Sequence, residues 1–237
     1  MRYRKTKFSI NQMRKVVISC LLLCVILFLS LYYAMSFDLP KWFPFNKENA
    51  LDEWKEKVFK GKVLYAVEPL QEGGYLSAKS QSACSGLVYR MKFHPKKYPM
   101  ISWKWKVIKF PEKTQDKPKK GGWLEKDDYA ARVYVIFPSW IFTSTRCIEY
   151  VWDEEIPAET IMTSPYLGNI KLIIVESGRE NIGQWVSEER NIYEDYKKVF
   201  GRSSGYVGAI ALMTDTDNTL STAEALYTDI KVGYKNE

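Results

Sequence analysis

A mainly β fold is predicted: a two-sheet antiparallel sandwich, jelly-roll-like, with one or two short helices, preceded by a single transmembrane helix. Three observations predict it. Apolar and polar residues alternate with period two in many short runs. One stretch near the N-terminus is uncharged for more than twenty residues. Finally, 46% of the 237 residues are hydrophobic, which excludes disorder as the general state.

The chain divides by charge. Residues 1–15 hold six cations (Arg2, Arg4, Lys5, Lys7, Arg14 and Lys15) and no acid, and residues 16–37 hold no charge. The rest carries 29 of the 35 cations against all 28 acids, so the net charge of +7 belongs almost wholly to a short tail. Val16 to Met35 is twenty residues without Pro or Gly, long enough at 1.5 Å per residue to cross a bilayer core of about 30 Å. The positive-inside rule places the basic tail in the cytoplasm and the domain outside, and in a bacterium this means the inner membrane with the domain in the periplasm. Tyr32, Tyr33, Trp42, Phe43 and Phe45 suit an aromatic belt at the outer interface. A cleaved signal peptide is the alternative, but its apolar region is usually about 7–15 residues. Cys20 sits too early in the apolar run for lipoprotein processing. The expected organisation is a basic tail (1–15), an anchor (16–35), a connector (36–53) and an extracytoplasmic domain (54–237). About 200 residues suffice for one domain with a sizeable core.

Within the domain, Asn49 to Phe59 reads as a short amphipathic helix, with Leu51, Trp54 and Val58 at spacings of three and four. Strands are expected at 62–68, 75–79, 85–92, 100–109, 129–137, 145–152, 169–176, 183–190, 205–213 and 224–235. In the fourth, Ile101, Trp103, Trp105 and Val107 alternate with Ser102, Lys104 and Lys106, the pattern of a half-buried antiparallel strand. Ala131, Val133, Val135 and Phe137 do the same against Arg132 and Tyr134. One clear helix follows Asn191, an N-cap with Glu194 as its capping-box partner. Ile192, Tyr196, Val199 and Phe200 line one side, Lys197 and Lys198 complement the dipole, and Gly201 ends it. There is no GxGxxG, P-loop or long repeat.

Cys84 and Cys147 are the cysteines of the domain. Free thiols are expected, although an extracytoplasmic compartment permits a disulfide. No Cys-x-x-Cys supports zinc. His94, the single histidine, lies in a Pro- and Lys-rich turn, which leaves little room for a Ser-His-Asp or Cys-His system.

Longer motifs carry a family resemblance. They are Asp127-Asp128-Tyr129-Ala130-Ala131-Arg132-Val133-Tyr134-Val135-Ile136-Phe137, Tyr150-Val151-Trp152, Gly183-Gln184-Trp185-Val186, Glu189-Arg190-Asn191-Ile192-Tyr193-Glu194-Asp195-Tyr196 and Ile210 to Thr219. Leu76 to Ser80, Ser85-Gly86-Leu87 and Trp103-Lys104-Trp105 agree in order upstream. Together they resemble the bacterial domain-of-unknown-function family numbered 3047, over roughly residues 54–235. The resemblance implies an exported, jelly-roll-like sandwich and brings no agreed activity. One departure is Leu220, which stands where the family often has Gly and bears on any turn with φ > 0 there.

Several constellations are candidates for function. Asp127, Asp128 and Arg132 cluster at a strand entry, where they can pair with one another, bind a polar ligand or meet Arg190 and Asp195. Asp215, Asp217, Asn218 and Thr219 put four oxygen-bearing side chains in one loop, suited either to a structural calcium ion or to an Asx-rich turn. An EF-hand is excluded, because Leu220 and Leu226 occupy its Gly and Glu positions. Trp152 and Trp185 can stack on sugar rings, whereas Trp103 and Trp105 fall on the apolar face of their strand. Loop aromatics Trp123, Trp140 and Tyr166 are further candidates.

Residues 90–120 hold eleven cations and two acids, and residues 149–195 eleven acids and three cations. The basic stretch suits anionic lipid head groups or an acidic polysaccharide. With a net charge of +1 on the domain, nucleic acid is not an expected partner. The leading expectation is a binding module for carbohydrate or cell-envelope glycan. The alternative is an envelope polysaccharide hydrolase or lyase using carboxylate and Arg residues. No cofactor is expected beyond the possible calcium.

Overall fold

The computed structural model describes residues 39–69, 73–113 and 127–235. The expected tail and anchor lie outside the described residues. Among the described residues no helix is long and apolar enough to cross a membrane.

Thirteen strands are described: β1 (Lys41–Phe43), β2 (Trp54–Lys60), β3 (Leu64–Pro69), β4 (Gly74–Gln81), β5 (Cys84–Phe93), β6 (Met100–Lys109), β7 (Ala131–Phe137), β8 (Arg146–Asp153), β9 (Ile161–Thr163), β10 (Ile170–Ser177), β11 (Val186–Asn191), β12 (Val207–Asp215) and β13 (Thr222–Tyr234). They form a six-stranded sheet, in the order β11-β6-β13-β4-β3 with β1 also on β13, and a seven-stranded sheet, in the order β2-β5-β12-β7-β8-β10-β9. All ten expected strands are present. The seven-stranded sheet is mixed rather than wholly antiparallel, because β10 runs parallel to β8 with Ile170 opposite Cys147.

The alternation predicts the layers correctly. Ile101, Trp103, Trp105 and Val107 of β6 face Val133, Val135, Ile148, Tyr150, Trp152, Ile210 and Leu212 of the other sheet in one core. Trp103 lies 5.3 Å from both Trp105 and Tyr150, centroid to centroid, within the range where aromatic pairs add to simple burial. Tyr227 of β13 stitches the layers together. Its hydroxyl donates to the Met213 carbonyl at 2.8 Å and accepts from the Arg132 amide at 3.3 Å.

The one α-helix among the described residues, α1 (Ile192–Phe200), starts as expected. The Asn191 side chain accepts from the Glu194 amide at 3.0 Å, and Gly201 takes the left-handed conformation at φ 65°. The Glu194 carboxylate pairs with Lys197 at 3.0 Å, the i,i+3 neighbour on the same face.

Two expectations at the start of the domain are corrected. Residues 49–59 are not a helix: Glu48–Leu51 form a 3-10 turn and residues 54–60 form edge strand β2, hydrogen-bonded to β5 with Trp54 opposite Tyr89. The spacing of Leu51, Trp54 and Val58 is misleading because an edge strand buries few side chains, here Trp54, and leaves little alternation to detect. Residues 41–45, expected in a connector at a membrane interface, belong to the sandwich. β1 pairs with β13, and Phe43 and Phe45 are buried against Trp54. Trp42 stays exposed and donates to Asp229.

Candidate functional site

The outer face of the six-stranded sheet is built by the polar half of each alternating strand. From β6 come Ser102, Lys104 and Lys106; from β13, Glu224 and Leu226; from β4, Tyr75, Ser77 and Lys79. Register places Lys106 beside Leu226 and Leu226 beside Ser77 in one row. The Gly183-Gln184-Trp185 loop is tied to this sheet by the Gly183 amide, which donates to the Val107 carbonyl at 2.9 Å. Gly183 takes φ 75°, a conformation that glycine adopts without steric cost.

Trp185 is thereby laid on the polar face. It remains 39% exposed, its ring centroid is 6.1 Å from that of Tyr75, and Lys106 Nζ sits 4.9 Å above it. Hydrogen-bonding groups flank the pair: Lys104 binds Asp229 at 2.9 Å and Lys79 binds Glu224 at 3.1 Å. Two aromatic rings tilted 57° to one another and bordered by charged donors and acceptors can hold a ligand with one apolar side and a polar rim. The other tryptophan expected at a ligand, Trp152, is fully buried and donates to the Gly178 carbonyl at 3.1 Å. Its position on the inward side of β8 makes it core.

The second constellation lies on the outer face of the seven-stranded sheet. Arg132 is 3% exposed. Its Nη2 donates to Asp215 Oδ2 at 2.7 Å and to the Asp127 carbonyl; its Nη1 donates to Glu149 Oε2 at 3.3 Å and to the Tyr134 hydroxyl at 3.2 Å. Asp127 Oδ1 is 3.8 Å away, and the guanidinium stacks over the Tyr129 ring at 4.5 Å. Three carboxylates thus share one cation. Burial raises the Asp215 carboxyl well above its ordinary range despite Arg132, and raises Asp127 in the same way. Burial likewise pushes Glu149 up to about 8. Glu149 therefore holds its proton at neutral pH.

Asp128 does not pair with Arg132. It sits before β7 and accepts from the amides of Asn218 at 3.1 Å and Thr219 at 2.6 Å, and from Asn218 Nδ2 at 3.0 Å. The loop that follows β12 therefore closes onto the strand entry. Its four oxygen-bearing side chains face different partners: Asp215 meets Arg132, Asp217 lies 3.7 Å from Lys60, Asn218 Oδ1 accepts from Tyr166 at 3.0 Å, and Thr219 bonds Ser221 at 2.8 Å. Cys84 Sγ comes within 4.8 Å of carboxylate oxygens of Asp215 and Asp217. Burial and these acids push its thiol up, so it stays protonated. No disulfide joins Cys84 and Cys147, which agrees with the expectation for the thiols.

Arg190 and Asp195 form a separate group. Arg190 grips Asp195 through Nε at 3.0 Å and Nη2 at 2.8 Å, and also binds Glu159. Asp195 further accepts from the buried Tyr150 hydroxyl at 2.9 Å, so the group ties α1 to β11 and the core. Nearby Glu188 is raised to about 7, by burial first and by Glu176 second.

Sequence reasoning missed Glu149, Tyr75 and Glu159. Glu149 had a signal, as the lone acid inside the apolar run Cys147 to Trp152. Tyr75 had none, because its contact with Trp185 depends on a loop folding over two strands.

No curated protein matches the sequence. Solved structures similar in fold include the family 11 carbohydrate-binding module of the cellulosomal cellulase Lic26A-Cel5E of Clostridium thermocellum (13% identity, 78% of this chain and 89% of that one, TM-score 0.43). Another is the CBM22-1 xylan-binding domain of Paenibacillus barcinonensis Xyn10C (12% identity, 86% and 100%, TM-score 0.39). A third is the Spr0440 glycoside hydrolase domain, Endo-D, of Streptococcus pneumoniae R6 (10% identity, TM-score 0.40), where 78% of this chain matches 22% of that one. A family model matches residues 52–231, more than half of the chain, and the chain belongs to that family, the proteins of unknown function DUF3047.

Proposed function

We propose that the domain is a glycan-binding module whose ligand lies across Trp185 and Tyr75 on the outer face of the six-stranded sheet. One observation carries the reading: a half-exposed tryptophan meets a second aromatic ring, tilted 57° to it at 6.1 Å between centroids, on a sheet face lined mainly by Lys, Ser and Glu side chains. The C–H side of a pyranose matches such a surface, and its hydroxyls find the Lys104–Asp229 and Lys79–Glu224 pairs at the rim. The ligand class is carbohydrate, with cell-envelope glycan the first candidate for a domain read as extracytoplasmic.

Against an envelope hydrolase or lyase using Asp127, Asp128, Arg132 and Arg190 stands the geometry of those groups. Asp127, Asp128 and Arg132 are buried, and Arg132, Asp128 and Arg190 already hold internal partners. A polymer needs exposed reacting groups, and these are not.

The test is binding of the full chain to a panel of envelope and plant-type glycans, with Trp185→Ala, Tyr75→Ala and, as a control away from this face, Trp140→Ala. Loss of at least about tenfold in affinity is expected for the first two with no change in thermal stability, and no loss for the control. Absence of binding to every glycan, or equal binding by Trp185→Ala, overturns the reading.

A further inference from the structure

The two ends of the sandwich differ in chemistry. Three loops at one end, residues 94–99, 138–145 and 201–206, contain no Asp or Glu and carry Lys96, Lys97 and Arg202. Loops leaving the opposite strand ends carry Glu112, Asp127, Asp128, Glu154, Glu155 and Asp217.

These three acid-free loops are also apolar. Trp140 is 83% exposed, and Ile141 and Tyr206 are exposed beside it. Register brings these loops together. Val207 faces Phe93, and Gly208 lies so close to Pro138 that a Cβ there would fall 2.5 Å from the proline ring. The Tyr206 ring is 5.1 Å from His94, with Lys92 Nζ 5.4 Å above it. Carboxylates near this end already hold partners: Glu194 pairs with Lys197, Asp195 with Arg190 and Glu53 with Lys41, and Glu189 accepts from the Tyr234 hydroxyl.

The chain enters the domain at this same end. Lys41 pairs with Val232, which pairs with Ile101 at the start of β6, and Leu39 packs on Gly233. Only residues 36–38 separate Leu39 from the uncharged twenty-residue stretch.

We propose that this end of the sandwich docks on an anionic lipid surface, with Trp140, Ile141 and Tyr206 at the head-group boundary and Lys96, Lys97 and Arg202 against the lipid phosphates. Trp and Tyr favour that boundary because they are apolar along the ring and polar at one edge. Each cation near an anionic leaflet contributes roughly fivefold to binding. The docking rests on residues 16–35 crossing the membrane.

Amide hydrogen exchange of the full chain in nanodiscs tests it, comparing phosphatidylcholine alone with phosphatidylcholine mixed with phosphatidylglycerol. Exchange in residues 138–145 and 201–206 should slow in the anionic discs. The Lys96→Glu/Lys97→Glu and Trp140→Ser variants should lose that protection, while peptides from β12 exchange as in the parent chain. Equal exchange in both discs, or protection that survives both variants, overturns the docking. A chain that fails to enter discs at all overturns the anchor beneath it, and leaves glycan binding at Trp185 to be decided by its own assay.

Discussion

Arg132 Nη2 lies 2.7 Å from Asp215 Oδ2, in a layer where each side chain is only 4% exposed. The pair joins β7 to β12, which are hydrogen-bonded neighbours, on the outer side of the seven-stranded sheet. Ion pairs in such a place are held by mutual neutralisation, since charge without a partner is costly away from water. Replacing Arg132 by Ala strands Asp127, Glu149 and Asp215 together. A loss of about 3–5 kcal/mol is expected in urea unfolding. The Arg132→Met/Asp215→Leu double variant should lose less than Arg132→Ala alone, because it removes a buried charge along with its partner. If Arg132→Ala costs nothing, the cluster does not support the fold.

Glu149 gives the fold a pH dependence of definite sign. Its folded-state value of about 8 lies above the ordinary carboxyl value, so the folded protein binds the proton more tightly than the unfolded chain. The stabilisation from this proton is full at low pH and falls away as pH rises through the interval from about 4.5 to about 8. Asp127 and Asp215, also raised, act in the same direction. Midpoints of chemical unfolding should therefore fall between pH 5 and pH 8, and Glu149→Gln should fall less steeply. An identical slope in the variant would place the titration elsewhere.

Leu220 adopts φ 53° and is 66% exposed. The family's frequent glycine position thus keeps its left-handed turn here, with a side chain that pays steric strain and buries little in return. Leu220→Gly should raise stability by ~0.5–1 kcal/mol, part of the relief being offset by the greater freedom of glycine in the unfolded chain. Differential scanning calorimetry reads this as a higher melting temperature; a lower one would mean that the leucine side chain contributes a contact.

The strands of the core were legible because each shows one face to water and one to the opposite sheet, as β6 and β7 do. β2 was not, since it is fixed by backbone bonds to β5 and not by its own side chains. Neighbour relations were hidden for the same reason: nothing in Ile170–Ser177 declares that it lies parallel to Arg146–Asp153. At the site, Arg132 and Trp185 stood out by type, and their partners did not. Asp215 is 83 residues from Arg132, and the Tyr75 ring meets Trp185 only after β4 and β11 take places on opposite sides of β6 and β13.

β13 occupies the middle of its sheet, with β6 along one side and β4 followed by β1 along the other. It is also the last of the thirteen described strands in chain order, so the ribosome makes it after the other twelve. Until it emerges, β6 and β4 have no neighbour to join them and β1 has no partner, so a nascent chain that stops before residue 222 holds half a sandwich with its aromatic interior open to solvent. Closure of the domain therefore waits on residues 222–234, and a chain cut short before them is marked for proteolysis by the surface it fails to cover.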